Sequence, residues 1–159
     1  MSYSSNGIFQ CAGFNSFKLW AIGRILAKEY WSRMVFHCWV GDWLCTHAGV
    51  SRQFFDYYSK GRDIRTFMKE EEAEAAKSVR SCSYHPFFHC TVARGGLDDY
   101  PGILWCDYSE FEDMPNTRQI FGHTQDSIVR RSSNHICLDT HLVYYAVYEN
   151  DKMVIRRTG

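Results

Sequence analysis

Apolar residues recur at helical spacing over residues 17–33, where Leu19, Trp20, Ile22, Ile25, Leu26 and Tyr30 fall close to one face, so the pattern predicts a helix there. Residues 34–40 and 43–46 are apolar and aromatic runs parted by Gly41-Asp42, which predicts a strand, a tight turn and a second strand. Ser51 is placed to cap a short helix over 51–58. Around KEEEAEAAK the pattern predicts a charged, solvated surface helix over 62–80. Its alanines supply helix propensity, while Glu70 and Glu74 make a like-charge pair. Residues 81–102 are irregular. Short strands suit 102–106, 119–121 and 135–138, and the tail LVYYAVYENDKMVIRR reads as a hairpin turning at Asn150-Asp151. Strands interspersed with helices, without repeat or linker, predict a single layered α/β or α+β domain over 1–159.

Composition narrows the class. Hydrophobic residues make up 45% and aromatics 16%, which is globular and not disordered. Lys plus Arg and Asp plus Glu are both 18, so no net field draws in nucleic acid or an anionic membrane. Arg130-Arg131 and Arg156-Arg157 are read as solvated edges beside strands. The seven cysteines include no C-x-x-C pair and several lie in apolar runs, which predicts reduced, mostly buried thiols of a cytoplasmic protein. The opening MSYSSNGIFQ carries no signal-peptide pattern, and no apolar run is long enough to cross a bilayer.

Two segments carry candidate chemistry: Cys45-Thr46-His47-Ala48-Gly49-Val50-Ser51 and Ile120-Phe121-Gly122-His123-Thr124-Gln125. In each, a histidine follows an apolar strand-like run and is flanked by small residues. The strand fixes the backbone, the imidazole emerges at its end, and the small neighbours leave room for an ion and a phosphate. Neutral imidazole suits zinc, iron and manganese.

HAGVS followed downstream by IFGHTQ resembles the third and last metal-binding blocks of the calcineurin-like metallophosphoesterases, in their serine/threonine-phosphatase-like branch. The strand pair before His47, the ARGG and PGILWCDYSEF stretches, and ICLDTHLVYYAVYENDKMVIRR are similar to further segments of bacterial and phage members, so the resemblance spans about residues 35–157. It implies a layered α/β sandwich of mixed sheets flanked by helices. It also implies that His47 and His123 ligate one ion of a two-metal centre, with manganese first, and iron or zinc next, as the metal. Arg94 would hold a substrate phosphoryl oxygen, as guanidinium matches phosphate bidentately. Here, however, Arg94 precedes Trp105-Cys106-Asp107, the reverse of the order in the eukaryotic enzymes, so a plain surface role stands beside it. Asp107 and Asp139 are read as structural, and His141 replaces a glycine in a turn.

The family's G-D-x-H-G, G-D-x-x-D-R-G and G-N-H-[DE] blocks are absent, so the catalytic histidine is unassigned and the chain reads as the C-terminal half of such a domain. Ser133-Asn134-His135 mimics part of the last block but lies out of order. The implied reaction is hydrolysis of a phosphomonoester, such as phosphoserine or phosphothreonine in a protein, or of a dinucleoside polyphosphate. Two histidines cannot retain two ions, because a catalytic zinc typically takes three protein ligands. The chain alone is therefore expected to be inactive and to self-associate through an exposed sheet. Two rivals stand beside this reading: a zinc-stabilised binding module on Cys82, His85, His89 and Cys90, and a non-enzymatic interaction protein that keeps the phosphatase scaffold.

Overall fold

The structure, a computed structural model, describes residues 16–25, 30 and 33–159. Helix α1 spans Ser16–Ile25, and the remainder of the helix expected over 17–33 lies largely outside the described residues. Phe17, Trp20 and Ile25 on α1 are exposed, as are Met34 and Val35 after it. No described helix is long and apolar enough to cross a membrane.

Strands β1 (His37–Val40) and β2 (Trp43–Thr46) form the expected hairpin. Gly41 turns it at φ 60°, as a two-residue turn with glycine first requires. A Cβ there would also fall 2.1 Å from the Tyr148 hydroxyl, so glycine serves both backbone and packing. Strands β3 (Arg118–Phe121), β4 (Arg130–Arg131) and β5 (His135–Cys137) complete a mixed sheet of order β1-β2-β3-β5-β4, in which β2, β3 and β5 run parallel. The tail is a separate antiparallel hairpin, β6 (Tyr144–Glu149) with β7 (Lys152–Arg157). Asn150 and Asp151 both hold positive φ at its turn, the type I′ pattern. The architecture is mixed α/β, but the second sheet is this antiparallel pair and not a mixed one.

Helices α2 (Arg52–Tyr58) and α3 (Ile64–Ser81) help form the core. Leu44 of β2 belongs to one buried cluster with Val50, Phe54, Phe67, Met68, Phe87, Ile103 and Met114. The expectation of a solvated 62–80 helix is half corrected. Phe67, Met68, Ala75 and Ser78 are buried, and the charges lie elsewhere on the helix. Glu70 and Glu74 do not simply repel: Arg62 forks to Glu70 and Glu71 at 2.9 and 2.8 Å, and Lys77 pairs with Glu74 at 2.5 Å. The cap is Asp63, whose carboxylate accepts from the Arg65 and Thr66 amides.

Four further expectations are corrected. Ser51 stands at the α2 N-cap position, but its hydroxyl makes no cap bond; it donates to the Glu110 carbonyl and accepts from the Glu112 amide. Residues 102–106 form a turn, with the Trp105 and Cys106 amides donating to the Gly102 carbonyl. A short apolar run looks the same in a strand and in a buried turn, and Ile103 is buried here without a ladder. Arg130 is no solvated edge: it sits in β4 with its guanidinium 3.9 Å over the Tyr108 ring and pairs with Asp126. Nor are the thiols mostly buried. Among the described residues Cys106 and Cys137 are buried, Cys45, Cys82 and Cys90 are half-buried, Cys38 is exposed, and all six are free.

Candidate metal centre

Parallel pairing places the candidate ligands at one edge of the sheet. Trp43, Leu44 and Cys45 of β2 lie opposite Arg118, Gln119 and Ile120 of β3, and Ile120 and Phe121 lie opposite Ile136 and Cys137 of β5. The chain therefore leaves all three strands on the same side, where parallel α/β sheets commonly bind ligands. The ladder runs one step further: the Gly122 amide donates to the His47 carbonyl at 2.9 Å, and the Leu138 amide to the Phe121 carbonyl at 2.8 Å. His47, His123 and Asp139 follow immediately.

The two imidazoles meet. His47 Nε2 lies 3.0 Å from His123 Nδ1, with the rings inclined at 64°. Without an ion this is a hydrogen bond in which one ring donates and the other accepts. Two nitrogens at zinc bonding distance from one ion would lie about 2.8–3.4 Å apart for angles between a right angle and the tetrahedral value. The observed spacing falls inside that range. His123 Nε2 is buried with no hydrogen-bond partner.

His123 also departs from ordinary backbone. Its φ is 73°, in the left-handed region, which a non-glycine residue enters at about 1–2 kcal/mol. The surrounding bonds hold it there: Gly122 to His47, and the Thr124 amide to the Gly122 carbonyl at 2.9 Å. Gly49, at φ 92°, sets the other loop, where a Cβ would meet the Phe111 ring at 2.8 Å.

Both rings are neutral at neutral pH. Burial lowers the His47 pKa, with Asp139 opposing; the residue still presents surface to solvent. Burial also lowers that of His123, and the neighbouring His47 and Arg94 add to the effect, taking it to about 4, against Asp107 and Asp139. A neutral imidazole keeps one ring nitrogen with a lone pair, which a cation could take in place of the ring-to-ring hydrogen bond.

Arg94 reaches the same place but is already engaged. It pairs with Asp107 at 2.8 Å and donates to Thr124 Oγ1 at 2.7 Å, while its Nε is buried without a partner. It is not the plain surface residue of the alternative. Asp107 has the structural role expected of it, accepting from the Ser109 amide at 2.9 Å at the head of a short 3₁₀ turn. Burial acts to raise its pKa, but the Ser109 bonds and Arg94 outweigh that and hold it low. The Asp139 charge acts to raise the pKa of both imidazoles, against their burial. Trp105 abuts His123 edge-on at 5.5 Å between ring centres. His141 carries φ 53° in the turn where a glycine would enter without strain.

Sequence reasoning missed Gln119. Its buried amide accepts from the Val50 N–H and donates to the Val50 carbonyl, both at 2.9 Å, clasping the loop that follows His47. Only the alternation of β3 could have signalled an inward-facing polar residue there.

The four residues of the zinc-module rival face other partners. His85 accepts from the Phe87 amide and pairs with Glu71, His89 bonds Tyr58, and the Cys90 thiol donates to the Arg94 carbonyl. Cys82 caps α3 in a left-handed conformation. His135 is likewise committed, to Asp113 at 2.6 Å and Tyr108 at 2.8 Å. Among the described residues no group of three or more His, Cys, Asp or Glu side chains is arranged to hold an ion. The imidazole pair thus fits two positions of a metal's ligand set without completing it. No protein-family model, curated protein or solved structure matches the chain.

Proposed function

We propose that this chain carries part of a metal-dependent phosphoesterase centre, with His47 Nε2 and His123 Nδ1 as two ligands of one divalent ion. The observation that carries this reading is their convergence at 3.0 Å from the ends of two parallel strands. The left-handed backbone at His123 adds weight, since such strain persists where the surroundings impose it and gathers at functional sites. The parent fold would be a layered metallophosphoesterase-type sandwich, of which the five-stranded sheet and its helices form part.

When bound, paired divalent ions polarise a phosphoryl group and supply a nucleophilic hydroxide. The chain's own contribution is to present two neutral ring nitrogens, to hold them rigid through the Gly122–His47 ladder bond, and to place Arg94 beside Thr124. Arg94 would turn part of its guanidinium from Asp107 to a phosphoryl oxygen. Manganese is the first choice of ion, with iron and zinc next. The substrate would be a phosphomonoester, such as a phosphoserine or phosphothreonine protein, or a dinucleoside polyphosphate.

The remaining donors would come from elsewhere in this chain or from another polypeptide. Purified chain with manganese is accordingly expected to hydrolyse p-nitrophenyl phosphate no faster than a protein-free control. An ordinary enzymatic rate would overturn the incompleteness of the site. The second reading, a non-enzymatic scaffold, draws on the lack of a third donor among the described residues. Weak metal binding abolished by His123→Ala favours the phosphoesterase reading, and no metal binding at all favours the scaffold.

A further inference from the structure

Cys38 of β1 and Cys45 of β2 are direct cross-strand partners in the antiparallel hairpin. Partners of either kind in such a pair have Cα atoms about 4.5–5.5 Å apart. Disulfides span about 4.4–6.8 Å. The two residues share a sheet face and stand directly opposite each other. A row of partners runs across that face, Cys38, Cys45, Ile120, Ile136, from the exposed edge to the buried centre. Cys38 stands at the open end, on an edge strand whose outer side pairs with no other described strand. Both thiols are free.

We infer that Cys38 and Cys45 form a reversible dithiol–disulfide site, with Cys38 as the entry point for a low-molecular-weight disulfide of the glutathione class. The Cys38 thiolate attacks one sulfur of the oxidant, forming a mixed disulfide and releasing one small thiol. The Cys45 thiolate then attacks the Cys38 sulfur, breaking the mixed bond and releasing the second. The protein loses two thiols to one disulfide, the oxidant becomes two thiols, and the two protons leave on them. Half-buried Cys45 is shielded from first attack yet stands directly across the ladder from the adduct. The bond would tie β1 to the strand that delivers His47, although the inference stands on the hairpin geometry and is independent of any phosphoesterase role.

The test is incubation of the dilute, folded full chain in buffers of graded oxidised-to-reduced glutathione, followed by acid quench, alkylation, intact mass and peptide mapping. The expected product is a monomer lighter by two hydrogens, with Cys38 linked to Cys45, no retained glutathione, and full reversal by dithiothreitol. Cys45→Ser is expected to stop at a stable glutathione adduct on Cys38, and Cys38→Ser to lose the reaction at this hairpin. If either variant fails to fold, the wild-type map alone decides. A wild-type chain that stops at glutathionylated Cys38, links Cys38 between chains, or pairs other cysteines in preference overturns the inference.

Discussion

Replacing Gly96 by alanine is expected to destabilise the chain by about 3–4 kcal/mol, while the same change at Gly95 costs only about 1 kcal/mol. The two glycines of the Arg94-Gly95-Gly96 stretch do different things. Gly95 ends a 3₁₀ turn at φ 83°, with its amide on the Val92 carbonyl and open space where a Cβ would lie. Alanine there meets only the left-handed backbone. At Gly96 a Cβ would fall 1.8 Å from the Cys90 carbonyl oxygen and 2.4 Å from its carbon, both backbone atoms. The segment must move, and with it the bonds from the Gly96 amide to Thr91 and from the Asp98 amide to Cys90. Those bonds fold the loop that aims Arg94 at Asp107 and Thr124. Chemical denaturation of both variants measures the difference; equal losses would show that close approach at Gly96 is not the constraint.

Gln119→Leu is expected to cost about 2–4 kcal/mol although leucine is apolar and of similar size. The side chain is buried, so the change removes no solvated group. It strips both partners from Val50, whose N–H and carbonyl bond the Gln119 amide. Each unpaired buried group costs about 1–3 kcal/mol, and the two losses overlap because they share one side chain. The loop from His47 to Val50 would also lose its anchor to β3. Denaturation midpoints report the first effect, and faster hydrogen exchange at residues 48–50 the second. A variant as stable as the parent would mean that water replaces the clasp.

Much of the sheet was legible in the chain. Strand β2, the Gly41-Asp42 turn and the terminal hairpin with its Asn150-Asp151 corner follow from alternation and turn chemistry, which act locally. Residues 102–106 misled because burial of Ile103 leaves the same apolar trace in a turn as in a strand. Ser51 misled because its hydroxyl found partners 59 and 61 positions away, at Glu110 and Glu112. Arg130 read as solvent-facing because the Tyr108 ring that covers it is remote in sequence. At the candidate site His47 and His123 were legible, since each follows its strand within one or two residues. Asp139, Trp105 and the Gln119 clasp were not, because parallel registry and loop closure bring them in.

The most direct test of the shared-ion account is a manganese titration of the folded chain, followed through paramagnetic broadening of the histidine ring signals. His47 and His123 are expected to broaden together and before the other five histidines, and His47→Ala is expected to abolish the effect at His123. Broadening that spares both rings, or that persists at one after the other is removed, would contradict a common ion between them.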